Sequence, residues 1–207
     1  MRSTETFTEQ ARRAQIAGCA IDTIAELGYG NASVRKIADR AGVAMSVVLY
    51  HFGDKDSLIA AVVHECYSAL LAEMVPAVEA APTASAKLEA HIRTHLRYMR
   101  THRNHQVALM EIAGGFRTKD GGRLQDVAVD TSHDDARAQV ELDVILANGV
   151  DSGEFRPLNV ASMAAAIRGA VGSAMHASQA DPQFDLDAYA DDLVDTFTRA
   201  TRTDQEK

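Results

Sequence analysis

At 207 residues, with 46% hydrophobic side chains, four prolines and no tryptophan, the chain has room for a small head and a larger body. Its formal net charge of −8 excludes a generally basic nucleic-acid coat, but the charge is uneven: residues 1–55 hold seven Lys/Arg against six Asp/Glu, and residues 56–207 hold fourteen against twenty-three. No alternating stretch and no run of about 20 apolar residues stands out, which predicts an all-α chain that does not span a membrane.

In chain order, Met1-Arg2-Ser3-Thr4-Glu5 leads into polar helix without the apolar centre of a secretion signal, and a cytoplasmic protein is expected. Thr6 and Glu9 have capping-box spacing, and Ile16, Ala20, Ile24 and Leu27 line one face of a helix that stops at Gly28. Ser33 is suited to cap a second helix carrying Val34, Ile37, Ala38 and Ala41, which ends at Gly42, where a left-handed residue is needed. One further short helix fits between Met45 and Tyr50 before Gly53 and Asp54. Asp54 then caps a longer helix, with Asp56 in its first turn and Lys55 placed better for an outside anion than for the helix itself. Two very short helices joined by a glycine turn are the pattern of a helix-turn-helix.

The longer helix carries Leu58, Val62, Cys66 and Leu70 and is expected to end before Pro76. A loop at residues 81–84 precedes a helix from Ser85 to His102, and another helix runs from His105 to Phe116. After a loop over residues 117–122, a helix is predicted from Leu124 to Ala147, ended by Asn148-Gly149. The next runs from Val160 to Ala177 and carries small residues at Ala161, Ala164, Ala165, Gly169, Gly172 and Ser173 that let backbones approach closely, so tight packing within the protomer or against a second copy must offset its glycines. Asp181-Pro182 breaks it, the last helix carries Leu186, Tyr189, Leu193 and Phe197, and the tail after Arg202 is expected to fray.

Residues 91–102 hold three histidines and three arginines. His91 and His95 are spaced i, i+4, a spacing compatible with one metal ion, but no glutamate follows the first histidine as in the zinc-protease pattern. A solvated helix flank, a polar pocket wall and a metal site are the three readings. Cys19 and Cys66 lie in helical segments without metal or redox spacing and read as two buried thiols of a reducing cytoplasm.

Residues 9–60 resemble the N-terminal DNA-binding domain of the TetR family of bacterial repressors. The matching marks are Ile16, Ala20, Gly28-Tyr29, the run Ser33-Val34-Arg35-Lys36-Ile37-Ala38, Ala41-Gly42-Val43, and Tyr50-His51-Phe52 followed by Lys55 and Leu58. The resemblance implies a three-helix helix-turn-helix head at residues 1–56 and a helical effector-binding and dimerisation body at residues 57–207. It implies no cofactor or metal and no enzymatic activity. The expected partners are an operator duplex, a second copy joined through the last two helices, and an unidentified small-molecule effector.

On this reading the DNA surface comprises Ser33, Arg35, Ala44, Met45, Ser46, Val47, Tyr50, His51 and Lys55. Effector contacts fall to Tyr67, His95, Tyr98, Met99, Met110 and Phe116. Two departures stand out. The family usually places Ser or Thr where Ala44 stands, and residues 45–51 contain no arginine, lysine, asparagine or glutamine, the side chains that read purines bidentately. Met45 and Val47 offer methyl-type contacts to thymine, Ser46 and Tyr50 offer hydroxyls, and base hydrogen bonding would fall partly to Ser33 and Arg35. The rival class is an all-helical enzyme or metal-binding module using His91, His95 and His102.

Overall fold

The computed structural model describes residues 7–117, 138, 140–181 and 183–203. Thr6, residues 124–137 of the helix predicted from Leu124, Pro182 and the end of the tail lie outside these. The described residues form nine helices: α1 (Phe7–Leu27), α2 (Val34–Ala41), α3 (Met45–Phe52), α4 (Lys55–Glu79), α5 (Ala84–Thr101), α6 (Arg103–Gly115), α7 (Leu142–Asp151), α8 (Val160–Ala180) and α9 (Leu186–Thr201). Two compact units divide them. One holds the described residues up to Ser68 together with those from Arg103 to 117, and the other holds 69–102 and the described residues from 138 onward.

The first unit is organised by its turns. Gly28 (φ 78°), Gly42 (φ 67°) and Gly53 (φ 79°) each occupy the left-handed region, where a side chain would be strained. They stop α1, α2 and α3 in turn, the last two after only eight residues each. Ser33 Oγ accepts from Lys36 N at 3.3 Å, and Asp54 Oδ1 accepts from Ser57 N at 2.8 Å, so α2 and α4 start on side-chain caps. Ile16, Ala20 and Ile24 from α1, Ile37 and Ala41 from α2, Val48 and Phe52 from α3, and Leu58, Ile59, Val62 and Cys66 from α4 bury together. Ala108 and Ile112 of α6, with Phe116 just beyond it, complete this core.

The second unit packs α5, α7, α8, α9 and the end of α4 around Leu88, Ile92, Leu96, Leu146, Ile167, Val171 and Phe197. Glu154 receives the first amides of α5, Ala84 N and Ser85 N, each at 2.8 Å. Arg93 and Arg100 of α5 pair with Asp191 and Asp187 of α9, a pattern of exposed bridges that orients more than it stabilises.

Two expectations are corrected. Pro76 does not end α4, which runs on to Glu79 with Ala80 N donating to Pro76 O at 3.1 Å. Pro76 and Ala72, whose carbonyl loses its helical donor, are both exposed, so water can take that carbonyl. Asn148-Gly149 does not end the following helix either: Gly149 is buried within α7, and the chain turns at Gly153 (φ 74°). Helix α4 is long and apolar enough to cross a membrane, with mean hydropathy 1.5 over its most apolar window. Its apolar side chains are already used: Leu58, Ile59, Val62, Val63 and Cys66 in one core, Leu70, Leu71, Met74 and Val78 in the other. A run of this kind is as well explained by core burial as by lipid.

Candidate nucleic-acid interface

The turn between α2 and α3 is fixed by hydrogen bonds of its own backbone. Val43 N donates to Ala38 O at 3.0 Å and Gly42 N to Asp39 O at 3.3 Å, closing α2 in the manner of a glycine C-cap. Ala44 then takes an extended conformation (φ −67°, ψ 147°) and offers no side-chain acceptor to the start of α3. Val47 N donates to Ala44 O at 2.9 Å, which leaves the amides of Met45 and Ser46 for solvent or an anion.

Helical spacing sorts the residues of α3. Val48 and Phe52 point into the core, while Met45, Ser46, Leu49 and Tyr50 share one outward arc of about 140° at 100° per residue. Three of these are large apolar side chains in the open: Met45 is 48% exposed, Leu49 37% and Tyr50 77%. Val47 and His51 flank the arc and are half-buried. The His51 ring stands edge-on to Tyr50 at 5.2 Å, and its carbonyl accepts from the Arg13 guanidinium, which also lies 4.6 Å from the centre of the Phe52 ring. Leu49 is not among the residues that the sequence assigns to the DNA surface, yet it shares this arc. The available signal was its position four residues after Met45, which puts both on one face once Val48 is taken as core.

Around this arc, Ser33, Arg35 and Lys36 are exposed at the start of α2. Ser33 is committed to its cap, and Lys36 Nζ donates to Asn31 O at 3.1 Å. Arg35 makes no hydrogen bond or ion pair to another described residue. Arg40 is turned away into a two-pronged bridge with Glu26, at 2.7 and 2.5 Å. Lys55 is half-buried, with its ammonium 4.4 Å from the centre of the Tyr29 ring and 3.3 Å from the Tyr29 carbonyl oxygen. Burial holds its pKa below the ordinary lysine value, opposed by the neighbouring Asp56 carboxylate. The head thus combines an acid-free α3 with a few flanking cations, a composition suited to a groove edged by phosphates.

The six residues assigned to an effector divide between the two units. Tyr67, Met110 and Phe116 belong to the first. Tyr67 is exposed, Met110 half-buried, and Phe116 fully buried with its ring 6.1 Å from that of Tyr29. His95, Tyr98 and Met99 belong to the second, where Tyr98 is fully buried and stacked on His102 at 4.2 Å.

His91 and His95 of α5 and His102 just beyond it do not converge on a common point. His91 Nδ1 donates to Val140 O at 2.9 Å, the His95 ring lies 6.1 Å from that of His91, and His102 is turned toward Glu73 at 3.8 Å. Among the described residues, no group of three or more His, Cys, Asp or Glu is placed to hold a metal ion. Burial lowers the pKa of His91 to about 4, and that of His95 likewise to about 4. Both are neutral near pH 7, His91 as a buried ring and His95 as a half-buried one.

Residues 19–62 match the family described as bacterial regulatory proteins, tetR family. The HTH-type transcriptional regulator BetI of Escherichia coli (strain S88) is 31% identical over 80 residues, 39% of this chain and 41% of its own length. The chain thus matches about two fifths of the length of that curated relative. Among solved structures, the transcriptional regulator FadR from Bacillus subtilis, in complex with stearoyl-CoA, superposes with a TM-score of 0.73 at 24% identity, over 89% of this chain and 96% of its own. A TetR-family regulator from Rhodococcus sp. reaches 0.75 at 17% identity, over 91% and 99%. At these identities the structural likeness speaks for the fold, and the matched head speaks for the family. Residues 19–62 are thus those of a TetR-family N-terminal domain, and the described residues have the fold of solved regulators of that family.

Proposed function

We propose that this protein is a cytoplasmic, homodimeric, sequence-specific transcriptional regulator, acting as a repressor released from a palindromic operator by a small-molecule effector rather than as an enzyme. The observation that carries this reading is α3: an eight-residue helix set by two glycine turns, with its core face filled and its outer face turned to solvent. Residues 1–56 are assigned to DNA binding and 57–207 to effector binding and dimerisation. Ser33, Arg35, Ala44, Met45, Ser46, Val47, Tyr50, His51 and Lys55 form the proposed DNA surface.

One short helix reads too few base pairs for a specific site, so a second copy is required. The outer face of α8 supports a dimer through the last two helices. A Cβ built on Gly169 or Gly172 meets nothing within 4 Å, so packing within the protomer does not demand these glycines. Close approach of a second copy gives them a use. Effector release is a population shift, set by the ligand's differential affinity for the DNA-competent and incompetent conformers. His95, Tyr98, Met99, Tyr67, Met110 and Phe116 remain the proposed effector residues. The stearoyl-CoA held by the FadR neighbour makes long-chain acyl-CoA the first class to screen.

The test is selection of bound duplexes from a random pool at two salt concentrations. A palindrome with half-sites one helical turn or more apart is expected, with binding that weakens steeply as salt rises. Recovery of no preferred sequence by a folded dimer would overturn the reading.

A further inference from the structure

We propose that the operator is read chiefly through the C5-methyl groups of thymine, by an apolar pair formed by Met45 and Leu49, with hydrogen bonds to base edges secondary. This deepens the DNA-binding reading above and rests on it. The pair is one helical turn apart on the outward arc of α3, and each member keeps more than a third of its surface exposed in the folded protomer. Exposing apolar side chains of this size is unfavourable at roughly 25 cal/mol per Å² unless a partner covers them.

The chemistry of the arc selects the partner. It carries no carboxylate, amide, ammonium or guanidinium; its polar groups are the hydroxyls of Ser46 and Tyr50. In the major groove the one apolar feature that distinguishes base pairs is the thymine C5-methyl group. Arg35 and Lys36, exposed on α2 with no acid on α3 facing them, match the phosphates that would flank such a groove. A hydrophobic pocket for a protein or lipid would not explain that charge pattern. Val47, half-buried beside the arc, is less available for this contact than Leu49.

Two base substitutions isolate the methyl group. Deoxyuridine in place of thymidine removes the methyl and keeps every hydrogen-bonding group. Cytosine and 5-methylcytosine at the same position share one hydrogen-bonding pattern and differ by the methyl alone. The probes are the duplex recovered by the selection experiment and its singly substituted forms, titrated with the full-length protein.

At one or more half-site positions, deoxyuridine should weaken binding about fourfold, the worth of one buried methyl. At the same positions 5-methylcytosine should bind more tightly than cytosine. In Met45→Ala or Leu49→Ala the corresponding deoxyuridine penalty should vanish while the protein stays folded with at most a modest fall in melting temperature, because neither residue belongs to the core and alanine favours helix. A duplex bound specifically but indifferent to deoxyuridine at every position would overturn the inference and leave the DNA reading standing. So would a deoxyuridine penalty that persists undiminished in both variants. A protein that selects no duplex at all would end both together.

Discussion

The ammonium of Lys55 sits 4.4 Å from the centre of the Tyr29 ring and donates to the Tyr29 carbonyl oxygen at 3.3 Å, so one residue of the loop after α1 holds the first residue of α4 in two ways. Tyr29 is itself fixed from α6, where Glu111 Oε2 accepts from its amide at 3.2 Å and Gly115 leaves room for its ring. The Lys55 side chain is therefore held in place, so that in its proposed role part of the ordering cost is met before a duplex binds.

Lys55→Met should weaken specific and nonspecific duplexes by a similar factor and reduce the slope of log affinity against log salt by about one, the signature of a lost phosphate contact. Loss of the ring contact alone should cost the fold only about 0.5–1 kcal/mol. Titrations at four salt concentrations check this. An unchanged slope would mean that Lys55 serves the fold and not the DNA.

Ala44→Ser should stabilise the first unit by about 1 kcal/mol, because Ala44 already has the extended backbone of an N-cap and lacks only the acceptor. Ser33→Ala is the reciprocal change and should cost about the same, since its hydroxyl holds Lys36 N. Denaturant unfolding measures both. If Ala44→Ser left stability unchanged, the start of α3 would have to be satisfied by some other group.

Local chemistry made the head legible. Ser33, Gly42, Gly53 and Asp54 each act on backbone groups within three or four residues of themselves, so their roles follow from neighbours in sequence. What escaped depends on distant partners. Pro76 reads as a helix end until its exposure is known, and Gly149 reads as a terminator until Phe155 is seen folded against it. The joining of α6 to the N-terminal core rests on Ala108, Ile112 and Phe116 meeting residues some 50 to 100 positions earlier, which no local pattern reports. The candidate site was legible in its position and partly in its membership. Leu49 needed the orientation of Val48 to be placed.

The neighbouring His91 and His95 rings of α5, one buried and one half-buried, set an acid limit on the second unit. Burial, and secondarily the Arg168 charge, lower the pKa of His91 from 6.5 to about 4, with the Val140 carbonyl opposing. Burial and the charge of His91 do the same to His95. Because the folded values lie below the unfolded one, this contribution to stability is complete above about pH 6.5 and is lost as pH falls toward 4. Each ring contributes on the order of 3 kcal/mol at most, and the two are coupled. His91→Gln, which keeps a donor for Val140 but does not titrate, should flatten the fall in melting temperature between pH 6.5 and 4.5. An unchanged pH profile would show that carboxylates, not these rings, govern acid unfolding.

Two glycines in helix interiors should respond to alanine with opposite signs. By helix propensity alone, either substitution gains about 1 kcal/mol. At Gly149 the new Cβ would lie 2.1 Å from Phe155 Cδ2 and 2.4 Å from Cε2, well inside contact distance. The ring cannot slide away easily: Phe155 is buried, its amide donates to Gly149 O at 2.8 Å, and the next amide, of Arg156, donates to Thr201 O at 2.9 Å. Overpacking of about 1–3 kcal/mol should then outweigh propensity, and Gly149→Ala should melt at lower temperature than wild type. Gly169 is exposed on α8 and its Cβ meets nothing within 4 Å, so Gly169→Ala should raise the stability of the isolated protomer by up to about 1 kcal/mol. If the same face joins two copies, that substitution should also weaken the dimer, because the added methyl holds the backbones apart. Unfolding at several protein concentrations, with sedimentation velocity alongside, separates the two effects. A Gly169→Ala protein with unaltered dimer affinity would remove α8's glycine face from the interface.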